Sequence, residues 1–209
     1  EIGVGNGIEN NTHNLILQGW QGIWIDSNTN RLKNIEKKIN NDKLIIENKK
    51  ITPENINETI QYIIKNSPIK NDKNIDFLNI DIDSFDVFCI EKLDVITPRL
   101  ICIEYNAKFP PPINISINMN NSNEWSHDDY NGASLYFINK KLKQKGYSLI
   151  STNITGNNAF FVLDKYYKKC KTNNQNIEDL YMPPNYNLYS YHQAHRPTSK
   201  YLYDQLNNK

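Results

Sequence analysis

Residues 1–10 read EIGVGNGIEN, with an acid ahead of glycines at every second position, Gly3, Gly5 and Gly7. Glycines spaced this way let a backbone come close to a ligand and turn sharply into the next helix. Residues 22–26 read GIWID, a compact apolar run closed by an acid, which is the pattern of a buried parallel strand with a polar tip. About 20 residues after a glycine loop, an acid at the end of the second strand is placed to accept hydrogen bonds from ribose hydroxyls. Asp26 stands at that position. The loop alone would read as a plain turn, but loop and acid together point to a nucleoside-containing cofactor.

The design repeats downstream. NRLKNIEKKIN reads as a charged amphipathic helix and KLIIENKKI as a strand. PENINETIQYIIKN reads as a helix with Pro53 in its first turn and Ile56, Ile60 and Ile63 or Ile64 on one face. DFLNIDID and PRLICIEYN are apolar strands with acids at their C-terminal ends, separated by the short helix SFDVFCIEKL. GASLYFINKKLKQKGY reads as a helix stopped by Gly146, and YSLISTNI and NAFFVL as two closing strands joined by a turn. Strands alternating with helices imply an α/β fold with a mostly parallel sheet covered on both faces. Residues 107–131, rich in Pro and Asn, read as a loop insertion over the site. Residues 164–209 read as a Tyr-rich appendage on the same domain. Only EI precedes Gly3, so the first strand is expected to be cut off upstream of residue 1.

At 209 residues the chain suits one substantial domain with insertions. Its 24 Lys and Arg nearly balance 23 Asp and Glu, which leaves no basic field for a nucleic-acid backbone. Three cysteines, an odd number without a CxxC pair, fit a reducing cytoplasm. No apolar stretch is long enough to span a bilayer and no signal-peptide pattern is present. A soluble cytoplasmic protein without membrane partners is expected.

Ligands in open α/β sheets bind beyond the carboxyl ends of the strands. Asp81 and Asp83, two apart, would share one side of a strand, with Glu104 at the same end of the next. Three converging carboxylates need a cation or protons, and oxygen ligands favour Mg²⁺, Mn²⁺ or Ca²⁺. The alternative is that Asp83 caps a helix starting near Ser84 and Glu104 pairs with a basic neighbour. His127, in EWSHDDY, is a candidate base or metal ligand, against a solvated polar loop. His192 and His195 count as structural or substrate-contacting.

The spacing E-x-G-x-G-x-G departs from the dinucleotide fingerprint G-x-G-x-x-G. It is similar to motif I of class I S-adenosylmethionine-dependent methyltransferases. EIGVGNGIENNT, GWQGIWIDSN, DFLNIDIDSFD, LICIEYN, NGASLYFINKKLKQKGYSLI and NNAFFV resemble consecutive blocks of FkbM-like small-molecule O-methyltransferases, over residues 1–163. The resemblance implies a Rossmann-like, doubly wound, mostly parallel seven-stranded sheet with helices on both faces and an antiparallel final strand. It implies that Glu1, Gly3 and Gly5 line the methionine part of the cofactor and that Asp26 holds the ribose. Asn10 or Asn11 would lie beside the loop, and Asn28 or the stretch near Ile51 beside the adenine. The family's KIDVEG is NIDIDS here, which leaves the roles carried from those positions open.

The expected function is methyl transfer from S-adenosylmethionine to a hydroxyl of a small polar acceptor. A sugar, free or nucleotide-linked, for a surface glycan or natural product is the first choice. Asp81 and His127 are the catalytic candidates, Asp81 also touching the cofactor; Asp81, Asp83 and Glu104 would hold any metal. A homodimer is compatible with this reading. The alternatives are an NAD-dependent oxidoreductase, which would use the same Asp26, and a non-catalytic binding module that keeps the fold.

Overall fold

The computed structural model describes residues 1–7, 10–38, 42–67, 75–119, 129–170 and 176–185. The chain divides into two compact units, Glu1–Ile82 with Phe88–Cys102, and Asp83–Val87 with Ile103–Lys209. The elements are α1 (His13–Leu17), β1 (Gly22–Asp26), α2 (Thr29–Lys38), β2 (Leu44–Asn48), α3 (Ile56–Asn66), β3 (Phe77–Ile80), α4 (Asp86–Lys92), β4 (Leu100–Glu104), α5 (Leu135–Gln144), β5 (Tyr147–Thr152), β6 (Asn158–Leu163), α6 (Asp164–Tyr167) and α7 (Ile177–Leu180).

The expected seven-stranded, mostly parallel Rossmann-like sheet does not form among the described residues. The described strands make two small sheets, a parallel pair β1-β2 and a mixed four-stranded sheet in the order β3-β4-β6-β5. The reason lies at the head of the glycine loop. Ile2 makes single parallel bridges to Ile25 of β1 and to Ile80 of β3, and one bridging residue is not a strand. β1 and β2 pair in register from Gly22↔Leu44 to Asp26↔Asn48. β5 and β6 pair antiparallel, with a register shift between Leu149 and Ser151.

In the first unit the apolar positions of helix and strand meet in one cluster. Val4, Ile16, Trp24, Leu32 and Ile35 are buried together, with Leu44 and Ile46 packed against them. Ile56, Ile60 and Ile63 form the buried stripe of α3, at the i, i+4, i+7 spacing of a helix face. Asn55 stands at the N-cap of this helix, so Pro53 lies ahead of it and not in its first turn as expected. Asn28 starts α2, its side-chain oxygen accepting from the amides of Asn30 and Arg31, both at 3.1 Å.

In the second unit Ser134 caps α5 by accepting from the Phe137 amide, and its hydroxyl also donates to the Ile113 carbonyl at 2.7 Å. The described parts of the 107–131 insertion carry no helix or strand beyond a bridge from Ser116 to Ala133. The described residues after β6 carry α6, a 3₁₀ turn at Lys168–Cys170 and α7. They are tied down by two tyrosines. Tyr105 donates to the Met182 carbonyl at 2.7 Å and Tyr181 donates to the Ala107 carbonyl at 2.6 Å. Among the described residues no helix is long and apolar enough to cross a membrane.

Candidate functional site

The carboxylate of Glu1 organises the glycine end of the first unit. Its two oxygens accept from the side-chain amides of Asn10 (2.6 Å) and Asn79 (2.7 Å), the backbone amides of Asn11 (3.0 Å) and Thr12 (3.1 Å), and the Thr12 hydroxyl. Thr12 in turn accepts from Trp24 Nε1 at 2.8 Å, which ties the network to the core. His13 lies over Trp24 and its Nδ1 is 2.7 Å from the Gly7 carbonyl. Charge-assisted bonds of this kind are about twice as strong as neutral ones. Glu1 therefore holds the loop and the start of α1 in place. Glu1→Gln turns one acceptor oxygen into an NH₂ group that faces donors, and is expected to cost about 2 kcal/mol. A lower urea midpoint with an unchanged slope would register it.

The loop itself follows from two close constraints. Gly3 has φ +82°, and a Cβ there would lie 1.6 Å from the Asp81 carbonyl oxygen. Only glycine lets the loop leave Ile2 against the end of β3. Gly5 has φ +62° with no atom within 4 Å of where a Cβ would be, so its backbone faces open space. Its amide donates to Asp26 Oδ2 at 2.9 Å. Asp26, buried at the end of β1, accepts from the Asn28 amide through its other oxygen at 2.7 Å. Asn48 Nδ2 donates to the Asp26 carbonyl at 3.0 Å. The acid that sequence spacing singled out is thus joined directly to the glycine loop.

No protein-family model matches the chain, and no curated protein matches it. The chemistry of the site rests on its own geometry.

Glu1, Gly3, Gly5, Asn11, Asp26, Asn28, Ile51 and Asp81 all belong to the first unit. Asn11 donates from Nδ2 to Asn79 Oδ1 at 3.0 Å. Asn28 spends its side-chain oxygen on the α2 start. Ile51 is buried between β2 and α3. Asp81 follows β3 directly, its amide donating to the Ile2 carbonyl at 2.9 Å. The charges of Asp81 and Glu1 add to burial in pushing the Cys102 thiol far above its ordinary range, so this cysteine stays neutral.

Asp83 and Glu104 belong to the second unit. β3 ends at Ile80, so Asp81 and Asp83 do not sit on one side of a strand as expected; Asp83 lies beyond it with φ +66°. It does not cap a helix at Ser84 either, since α4 begins at Asp86. A left-handed aspartate costs about 1–2 kcal/mol of strain. Glu104 is the half-buried last residue of β4. Asn106, just past it, donates from Nδ2 to the carbonyls of Asp129 (3.0 Å) and Asn131 (3.1 Å), which fixes the return of the insertion within that unit. Among the described residues no group of three or more His, Cys, Asp and Glu could hold a metal ion. His127, His192 and His195 lie outside the described residues.

Asn79 and Thr12 went unread in the sequence, and both hold Glu1. Asn79 carried a signal. It is fully buried in the apolar run FLNI, and a buried amide demands partners.

Proposed function

We propose that the chain is an S-adenosylmethionine-dependent methyltransferase that methylates a hydroxyl of a small polar acceptor, with a sugar as the acceptor class. The observation that carries this reading is the bond from Gly5 to Asp26, which sets a buried carboxylate beside an open stretch of glycine backbone. The residues suit such a cofactor. A carboxylate has about four acceptor sites, and the two bonds to Gly5 and Asn28 leave capacity for ribose hydroxyls. A side chain at Gly5 would occupy the open space. Asn10 Oδ1 is buried and meets no donor among the described residues, so a polar group near the loop would satisfy it.

When bound, S-adenosylmethionine supplies an electrophilic methyl group on a sulfonium. The chain's own residues do the rest. Asp26 would orient the ribose, and the Gly3–Gly5 backbone would allow close approach. Glu1 would keep that backbone rigid through its hydrogen bonds. Asp81, at the exit of β3, would take the proton of the attacking hydroxyl, and alignment of that hydroxyl would supply much of the rate.

Transfer of labelled methyl from S-adenosylmethionine to a panel of free and nucleotide-linked sugars tests the reading. Acceptor-dependent incorporation is expected. Binding of the cofactor product without incorporation into any sugar would remove the acceptor class, and absence of both would remove the reading.

A further inference from the structure

The first unit contains a largely apolar cavity of about 580 Å³ that the cofactor site does not use. Gly22–Ile25 of β1 and Phe77–Leu78 of β3 line it, with Glu1 and Ile2 at its head. Its remaining walls include Leu15, Ile16, Trp20, Ile60, Ile64 and Ile96. Trp20 is 43% exposed.

The backbone around the cavity says what fits it. On the β1 side the Glu1 amino group donates to the Ile23 carbonyl (2.7 Å), Ile25 to Glu1 (2.9 Å) and Gly3 to Ile25 (2.9 Å). On the β3 side Ile2 donates to Asn79 (2.9 Å) and Asp81 to Ile2 (2.9 Å). This is the even, slanted pattern of a parallel ladder, running on both flanks of residues 1–3. In such a ladder a residue's N–H and C=O face the same neighbour. The carbonyls of Ile23 and Asn79 face Glu1 and Ile2, so their amides are turned to the same side, one step further down the ladder. Neighbouring strands are about 4.8 Å apart, so a gap bridged by a single residue is one strand wide. A helix about 10 Å across would neither fit nor satisfy those amides.

We infer that this slot holds an extended apolar polypeptide strand, parallel to β1 and β3 and running into Glu1. Its apolar walls call for the continuous hydrophobic run of a buried parallel strand. The inference stands independently of the cofactor reading.

The test joins five residues, Val-Ile-Val-Ile-Val, to the amino end of Glu1 and compares this chain with one carrying Gly-Ser-Gly-Ser-Gly. The apolar extension is expected to raise Tm by at least about 6 °C over the control. Amide exchange at Ile23 and Asn79 is expected to slow by about ten-fold or more. A Val-Thr-Val-Thr-Val extension, less prone to aggregation, should give the same protection with a smaller rise. Equal Tm values and equal exchange at both amides across the extensions would overturn the inference.

Discussion

Gly3→Ala is expected to destabilise the chain by on the order of 4 kcal/mol, enough to unfold a marginal domain. Part of this is backbone: a non-glycine residue at φ +82° costs about 1–2 kcal/mol. The larger part is overlap. A Cβ 1.6 Å from the Asp81 oxygen and 2.6 Å from its carbon can be relieved only by parting Ile2 from β3. That separation strains the 2.9 Å bonds that Ile2 makes to Asn79 and accepts from Asp81. Gly5→Ala makes the contrast. It has the same kind of φ but no atom within 4 Å, so its cost stays near the backbone value of about 1–2 kcal/mol. Urea unfolding should therefore show a large loss for Gly3→Ala and a small one for Gly5→Ala. Titration of the folded Gly5→Ala protein with S-adenosylhomocysteine should still show weakened binding. Equal stability losses would mean that contact with Asp81 does not shape the loop.

Asp26→Asn should separate folding from binding in the same way. The substitution keeps an oxygen for one of the two backbone amides and removes the charge from both bonds, at 2.9 Å to Gly5 and 2.7 Å to Asn28. The folding cost is then about 1–2 kcal/mol. Two ribose hydroxyls that donate to a carboxylate lose more, since hydrogen bonds to a charged group are worth about 1.5–3 kcal/mol each. Affinity for S-adenosylhomocysteine is expected to fall about 100-fold, with Tm lowered by only a few degrees. Calorimetry beside thermal melting checks both halves. Unchanged affinity would place the ribose elsewhere.

These residues also show what a sequence can and cannot reveal. GIWID was legible to the residue, because an apolar run closed by an acid has few alternatives as a buried strand, and β1 spans Gly22–Asp26. The isoleucine stripe of α3 was legible because its period is local, with only the choice of Ile63 over Ile64 left to the folded unit. Sheet organisation was not. Pairing is non-local, and the difference between one sheet and two came down to Ile2, which bridges to Ile25 and Ile80 without forming a strand.

The acids at the strand tips were misjudged at one point for a comparable reason. The periodicity of DFLNIDID favours continuing the strand through Asp83, but β3 ends at Ile80 and Asp83 adopts φ +66°. Glu1 was visible as an acid before a glycine loop, and its hydrogen bonds inside the protein were not. Those partners, Asn10–Thr12 and Asn79, come together only in the folded unit.

On the proposed function, the loop and Asp26 accept S-adenosylmethionine and not a dinucleotide. Isothermal titration of the 209-residue chain with S-adenosylhomocysteine, and separately with NAD⁺, tests it most directly. Saturable one-to-one binding of S-adenosylhomocysteine, weakened about 100-fold in Asp26→Asn and absent for NAD⁺, is the predicted result. Binding of NAD⁺ in its place, or of neither, would contradict it.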